Sequence, residues 1–203
     1  MQEKRHIAIL GSTGSIGTQA LNVIREHTDA FAVELLTAHS NAELLIQQAL
    51  EFRPNAVVIG DESHYTTVSE ALWPEGIKAY AGPEALAQAV EAEAIDLVLT
   101  ALVGFAGLQP TLSAIAAGKQ IALANKEAMV VAGELVTKSA REKGVNIFPV
   151  GPTHSAIFQC LAGEFHNPIE KVCLTDSGGP FRGKDRAFLE TVTKEQALKN
   201  PNW

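Results

Sequence analysis

Three glycines near the N-terminus have the spacing of a phosphate-binding turn. Gly11, Gly14 and Gly17 follow a continuous apolar run, Ile7–Leu10, of the kind found in strands buried on both faces. Gly11 would let the chain turn, Gly14 would let backbone N–H groups approach a ligand, and Gly17 would let a helix over residues 15–27 pack closely. The positive end of that helix would face the turn. The pattern therefore predicts a site for the pyrophosphate of a dinucleotide, although a plain strand-to-helix turn has the same spacing.

Polar residues without a carboxylate follow the next predicted strand, Phe31–Ala38. An NAD enzyme usually has Asp or Glu at this point to accept hydrogen bonds from the adenosine ribose. Here the chain has His39, Ser40 and Asn41, which suit the extra phosphate of NADP because no carboxylate would repel it. Ser40 with Glu43 is also a capping box for the following helix, so Ser40 could act only as a helix cap. In that helix Leu44, Leu45, Gln48 and Ala49 lie at helical spacing.

A second polar triplet follows a predicted strand at Ile121–Ala124. Asn125, Lys126 and Glu127 place an amide, an ammonium group and a carboxylate at a strand end, where packing explains them poorly. In an open parallel sheet, ligands bind beyond the carboxyl ends of the strands. The triplet is therefore a candidate part of the same site. A helix cap would equally explain Asn125, and a solvated face would explain Lys126 and Glu127.

Alternating strands and helices are needed to position these groups. Further strands are predicted at Asn55–Gly60, Ile77–Ala81, Ile95–Leu102 and Val145–Val150. Further helices are predicted at Glu62–Leu72, from Pro83, at Pro110–Ala117 and at Ala128–Glu142. This order predicts an α/β fold with a doubly wound, Rossmann-like parallel sheet over residues 1–150. Residues 151–203, with a helix in SAIFQCLAG and a strand in IEKVCLT, are predicted to begin a second α/β domain.

Composition and charge exclude several classes of partner. The 203 residues are 46% hydrophobic and 19% charged, as in globular proteins, and the net charge of −7 argues against nucleic acid or an anionic membrane. Charged residues interrupt each apolar run before membrane-spanning length, and the start MQEKRH has no signal-peptide core, so a cytoplasmic protein is expected. Cys160 and Cys173 lack metal-ligand spacing and are predicted to be reduced and buried rather than catalytic.

Several motifs together resemble the 1-deoxy-D-xylulose 5-phosphate reductoisomerase family. They are, in order, GSTGSIG, LVGFAGLQPTLSAIAAGK, IALANKEAMV, HSAIFQCL, LTDSGGPFR and NPNW. The resemblance covers essentially all 203 residues and about the first half of a family member. Such enzymes use NADPH with Mg²⁺ or Mn²⁺ and are usually homodimers. They rearrange a sugar phosphate to an aldehyde and reduce it to 2-C-methyl-D-erythritol 4-phosphate, in the non-mevalonate isoprenoid pathway.

The resemblance also implies roles for individual positions. The cofactor phosphates would be bound by Thr13, Gly14, Ser15 and Ile16. The 2′-phosphate end would be surrounded by His39, Ser40 and Asn41. Asn125 and Glu127 would also lie on the cofactor side, and Lys126 would hold substrate as a catalytic residue. Ser177 would bind the substrate phosphate.

The chain departs from the family at the metal-binding motif. The family has Asp, Ser and Glu where this chain has Gly151, Pro152 and Thr153, and the two carboxylates are the metal ligands. Mg²⁺ and Mn²⁺ need oxygen ligands, preferably carboxylates, and a neutral Thr hydroxyl is a poor substitute. Asp176 replaces a small residue beside the expected substrate phosphate, and Asn200 replaces a substrate-contacting His. No metal ligand is therefore predicted within the chain.

Two hypotheses follow from these departures. In the first, the chain is the N-terminal part of a reductoisomerase, with the remaining metal carboxylate and further substrate contacts expected beyond residue 203. In the second, it is a non-catalytic NADPH-binding module derived from that family. Both predict NADPH binding, and metal-dependent turnover would reject the second.

Overall fold

The computed structural model describes residues 4–164, 166–173 and 179–199. The chain divides into two compact units, Met1–Gly151 and Pro152–Trp203. The assignment of the first unit to the cofactor and of the second to the substrate stays a prediction.

The first unit is built on a seven-stranded sheet in which every paired strand is parallel. The strands are β1 (Arg5–Leu10), β2 (Phe31–Ala38), β3 (Ala56–Ile59), β4 (Lys78–Ala81), β5 (Leu97–Thr100), β6 (Gln120–Leu123) and β7 (Ile147–Pro149). Their spatial order is β4-β3-β2-β1-β5-β6-β7. The chain first winds outward from β1 through β2 and then returns to β5 on the other side. This confirms the predicted doubly wound α/β fold and puts its switch point at the carboxyl ends of β1 and β5.

Helices cover both faces of this sheet. They are α1 (Ser15–Glu26), α2 (Ala42–Phe52), α3 (Tyr65–Leu72), α4 (Gly82–Ala89), α5 (Leu108–Ala116) and α6 (Lys126–Lys143). Short 3-10 turns occupy Glu62–His64, Trp73–Glu75 and Gly104–Gly107. Along β1, Ile7 and Ile9 belong to one hydrophobic cluster, whereas Ala8 and Leu10 belong to the other. Because β1 is buried on both faces, its sequence is continuously apolar rather than alternating.

The second unit contains α7 (Pro152–Leu161), α8 (Arg186–Leu189) and α9 (Lys194–Ala197). Pro152 opens α7, a position where its missing N–H would have no partner within the helix. The strand predicted in IEKVCLT is wrong over residues 169–173, which form no strand, and its last two residues lie outside the described residues. No described residue of this unit is buried, so a strand there would have no core to cover. The predicted burial of Cys160 and Cys173 is wrong for the same reason, and both are exposed.

Among the helices of the described ranges, none has the length and apolar content needed to cross a membrane.

Candidate cofactor site

The segments that follow β1, β2 and β3 lie side by side at one rim of the sheet. The backbone N–H of Ser12 donates to the carbonyl oxygen of Thr37 at 2.8 Å. The N–H of Asp61 donates to the carbonyl oxygen of His39 at 2.7 Å. The rim therefore brings together the glycine turn and the polar residues after β2, as the sequence predicts.

The glycine turn has no room for side chains at two of its positions. Gly11 has a φ of +84°, and a Cβ atom there would lie 2.8 Å from the carbonyl oxygen of Ala101. A Cβ atom on Gly17 would lie 2.6 Å from Ser12 Cα and closer still to the carbonyl oxygen of Gly11. Real Cβ atoms essentially never approach backbone this closely. Both glycines are therefore required by the path of the backbone.

The N-terminus of α1 presents backbone donors to the rim. Its N-cap is Gly14, which has no side chain to occupy the N–H groups of the first turn, and that turn contains no acidic residue. Gly14, Ser15 and Ile16 are exposed, and Thr13 is half-buried. Open N–H groups at the positive end of a helix suit a bound anion such as pyrophosphate.

The residues after β2 leave two polar side chains at the start of α2. The predicted capping box of Ser40 and Glu43 is wrong, because the cap is Asn41, whose side-chain oxygen accepts the N–H of Leu44 at 3.2 Å. The Ser40 hydroxyl is therefore not committed to capping the helix. His39 and Ser40 are both exposed, as is Asn41. Their positions suit the 2′-phosphate of NADP.

A carboxylate that the sequence analysis missed lies beside this group. Asp61 follows β3, and its side chain accepts hydrogen bonds from the Ser63 hydroxyl at 2.7 Å and the Ser63 N–H at 3.0 Å. These bonds hold the pKa of Asp61 below its usual value, and the nearby rings of His64 and His39 lower that pKa further. The rule that ligands bind beyond strand carboxyl ends, applied to β3, would have found it. The Asp61 carboxylate therefore lies close to the residues expected to bind the 2′-phosphate.

Asn125 is buried and its side chain is fully engaged within the protein. Its amide nitrogen donates to the carbonyl oxygens of Leu102 at 2.7 Å and Gly104 at 2.9 Å, and lies 3.3 Å from Glu127 Oε2. Its amide oxygen accepts the N–H of Ala128 at 3.0 Å and so caps α6. Asn125 therefore joins the segment after β5 to the start of α6. Direct contact of Asn125 with a cofactor stays a prediction.

Lys126 and Glu127 occupy the first turn of α6, which begins earlier than the predicted Ala128. The Lys126 side chain is exposed and that of Glu127 is half-buried. The roles of Lys126 toward substrate and of Glu127 toward cofactor stay predictions. Ser177, the predicted contact of the substrate phosphate, lies outside the described residues.

The residues at the expected metal-binding motif do not fit a divalent cation. Gly151 follows β7, and Pro152 and Thr153 form the start of α7. None of them carries a carboxylate, and among the described residues no group of three or more His, Cys, Asp or Glu side chains could hold a metal ion. Because Mg²⁺ and Mn²⁺ prefer carboxylate oxygens, this donor set is inadequate for either ion.

Comparison with known proteins identifies the family. A family model described as 1-deoxy-D-xylulose 5-phosphate reductoisomerase matches residues 7–133. A second model, for the C-terminal domain of the same enzyme, matches residues 147–203. The 1-deoxy-D-xylulose 5-phosphate reductoisomerase of Bacteroides fragilis is 60% identical over 201 residues, which cover 99% of this chain and 52% of that protein.

Solved structures agree with this result. The enzyme from Zymomonas mobilis in complex with NADPH is 40% identical, with a TM-score of 0.84 over 98% of this chain and 52% of that one. A DOX-P reductoisomerase in complex with NADPH, fosmidomycin and magnesium is 36% identical, with a TM-score of 0.80 over the same shares. The chain spans about half the length of the relatives it matches. It belongs to the 1-deoxy-D-xylulose 5-phosphate reductoisomerase family.

Proposed function

We propose that this chain binds NADPH as the cofactor-binding part of an oxidoreductase that converts 1-deoxy-D-xylulose 5-phosphate to 2-C-methyl-D-erythritol 4-phosphate. The observation that carries the proposal is the open N-terminus of α1 behind a turn that only glycines at positions 11 and 17 can form. The absence of an acid directly after β2 favours NADPH over NADH. The NADPH complex of the similar Zymomonas mobilis enzyme supports the same cofactor.

The proposal gives each part of the rim a task. The N–H groups of Thr13, Ser15 and Ile16 would bind the pyrophosphate, and Gly14, whose own N–H donates to the Gly11 carbonyl oxygen, would leave room for its approach. His39, Ser40 and Asn41 would bind the 2′-phosphate. Asn125 would hold the segment after β5 against the start of α6, so that this part of the rim keeps its position. Glu127 would lie on the cofactor side by family resemblance.

The reductive step needs a hydride, which NADPH supplies when it is bound. The exposed ammonium group of Lys126, at the same rim, would bind the sugar phosphate and stabilise negative charge on a substrate oxygen. Ser177 would bind the substrate phosphate by family resemblance.

A second candidate function is a non-catalytic NADPH-binding module. The observation that favours it is the replacement of both metal carboxylates by Gly151 and Thr153, although a solved relative is in complex with magnesium. No step that needs Mg²⁺ or Mn²⁺ is therefore assigned to this chain.

Two measurements on the 203-residue chain test these alternatives. Isothermal titration with NADPH and NADH should show binding of NADPH and weaker binding of NADH, and no binding of NADPH would overturn the proposal. Absorbance of the reduced nicotinamide, followed with substrate and Mn²⁺ or Mg²⁺, should then show no turnover. Metal-dependent turnover would reject the non-catalytic module and show that other groups compensate for Gly151 and Thr153.

The proposal extends to a cytoplasmic homodimer that binds neither nucleic acid nor membranes. The net charge of −7 supports the absence of nucleic acid and anionic membranes as partners, and the homodimer follows from the family resemblance. Light scattering of the purified chain would measure its mass in solution, and a monomeric mass would contradict the dimer.

A further inference from the structure

We propose that Gln48 is a positioning residue that holds the pyrophosphate-binding turn in place from its buried side. The inference rests on the proposed NADPH site and adds to it a residue that does not touch the cofactor. Gln48 lies on α2, away from the glycine motif in sequence, and its side chain is buried.

The side chain of Gln48 makes two hydrogen bonds with one residue of the turn. Its amide oxygen accepts the hydroxyl of Ser12 at 2.7 Å, and its amide nitrogen donates to the carbonyl oxygen of Ser12 at 3.0 Å. Ser12 is completely buried. An amide side chain can satisfy both groups at once because its donor and its acceptor are on two separate atoms, whereas a hydroxyl carries both on one atom and an apolar side chain carries neither.

Thr37 of β2 holds the same turn through its backbone and its hydroxyl. The Thr37 carbonyl oxygen accepts the N–H of Ser12 at 2.8 Å and lies 3.2 Å from the Ser12 hydroxyl. The Thr37 hydroxyl accepts the N–H of Gly11 at 3.0 Å. Polar groups buried in this way are costly to leave unpaired, so the network strongly favours one orientation of the turn. The N–H of the next residue, Thr13, is then presented in a fixed direction, whereas the N–H of Gly14 donates within the turn to the carbonyl oxygen of Gly11 at 3.1 Å.

Through this network, α2 supports both the proposed pyrophosphate site and the proposed 2′-phosphate site. The first residues of α2 follow His39 and Ser40, the candidates for the 2′-phosphate, whereas Gln48 lies further along the helix and holds the pyrophosphate turn. The start of α2 is stabilised separately by the Asn41 cap. Removal of the Gln48 amide should therefore loosen the turn and leave the 2′-phosphate residues in place.

The test is a Gln48→Met variant, which keeps the length of the side chain and removes both hydrogen bonds. Gln47→Met is the matched control, because Gln47 is the preceding residue of the same helix and is exposed. Each variant is titrated with NADPH and with adenosine 2′-monophosphate, which has the 2′-phosphate but no pyrophosphate. Gln48→Met should raise the Kd for NADPH about tenfold and that for adenosine 2′-monophosphate less than about twofold. Gln47→Met should change neither.

Three results are decisive against the proposal. A folded Gln48→Met variant with the wild-type Kd for NADPH would show that the turn needs no support from Gln48. Equal losses for both ligands would show that the substitution disturbs α2 as a whole. If Gln48→Met does not fold by circular dichroism, Ser12→Ala takes its place, because it removes the hydroxyl and keeps the carbonyl, and an unchanged NADPH affinity there would overturn the proposal. Failure of the wild-type chain to bind NADPH would instead overturn the proposed function itself.

Discussion

Substitution of Gly17 by alanine tests the physical basis of the glycine turn. In the interior of an exposed helix, Gly→Ala stabilises by about 1 kcal/mol, because alanine has the higher helix propensity. At Gly17 the added Cβ would lie 2.6 Å from Ser12 Cα and 2.8 Å from the Ser12 carbonyl carbon. Ordinary contact begins at 3.4 Å, so the helix or the turn must move by roughly 1 Å. Both neighbours are backbone atoms and cannot turn aside as a flexible side chain could.

We expect Gly17→Ala to destabilise the protein, although helix propensity alone would predict stabilisation. Overpacking costs about 1–3 kcal/mol, and contact with backbone atoms puts Gly17→Ala in the upper part of that range, about 2–3 kcal/mol. After the propensity gain of about 1 kcal/mol, the net loss is about 1–2 kcal/mol. For a chain of this size, that loss lowers Tm by about 2–8 °C. A displacement of roughly 1 Å also takes hydrogen bonds to the pyrophosphate beyond their normal length, so the Kd for NADPH should rise at least about tenfold.

The assay compares Gly17→Ala with Gly133→Ala by thermal unfolding and NADPH titration. Gly133 directly follows a kink of α6 at Ala132, and the nearest atom to an added Cβ is Met129 Cε at 3.8 Å, an ordinary contact. Because Gly133 begins the helical segment after the kink and has room for a Cβ, the control should be close to neutral, with unchanged NADPH affinity. A Gly17→Ala variant with the Tm and Kd of the wild type would refute the argument from close packing.

Three further predictions concern other parts of the rim. Asn125→Ala should lower the free energy of unfolding by about 2–3 kcal/mol, measured by urea titration. The reason is that the carbonyl groups of Leu102 and Gly104 lose their hydrogen-bond donor and α6 loses its N-cap. A loss of less than about 1 kcal/mol would contradict this prediction. The pKa of Asp61 is lowered in the folded state, so its stabilising contribution is present above its ordinary pKa of 3.8 and is lost as pH falls through the lower folded pKa. Asp61→Asn should therefore make Tm depend less on pH in that acidic range. A profile of Tm against pH identical to that of the wild type would contradict this prediction. EDTA or Mn²⁺ should leave both Tm and the Kd for NADPH unchanged, because the described residues contain no metal-binding group, and a rise in Tm with Mn²⁺ would show otherwise.

The sheet and its rim could be predicted because burial on both faces leaves a simple pattern in the sequence. The bounds of β2, Phe31–Ala38, agree with the prediction, since an apolar run bounded by polar residues defines such a strand. The glycine spacing and the missing acid after β2 then indicated two parts of the rim, and the rule for strand carboxyl ends indicated the triplet after β6, without any knowledge of contacts. It was not applied to β3, and so Asp61 was missed.

Features that depend on single backbone angles or on distant partners could not be predicted in the same way. Ser40 and Asn41 both favour the N-cap position, and the choice between them depends on the residue at which helical backbone angles begin. Gln48 was recognised as lying at helical spacing with apolar residues. A polar residue on an apolar helix face is the sequence signal of a buried partner, but only the fold shows that the partner is Ser12.

The hydrogen bonds of the pyrophosphate turn and the altered residues of the expected metal motif lie far apart in the sequence, and this determines how the two candidate functions can be distinguished. The side-chain hydrogen bonds that hold the pyrophosphate turn come from Thr37 and Gln48, and the Asn41 cap stabilises the start of α2 independently. The positions of the lost carboxylates, 151 and 153, are remote in sequence from all of these contacts. Gly151 and Thr153 make none of these hydrogen bonds, so the expected loss of metal ligands leaves the hydrogen bonds of the turn in place. We therefore expect NADPH affinity to report on the pyrophosphate turn, whereas turnover measured on the same chain reports on the metal chemistry.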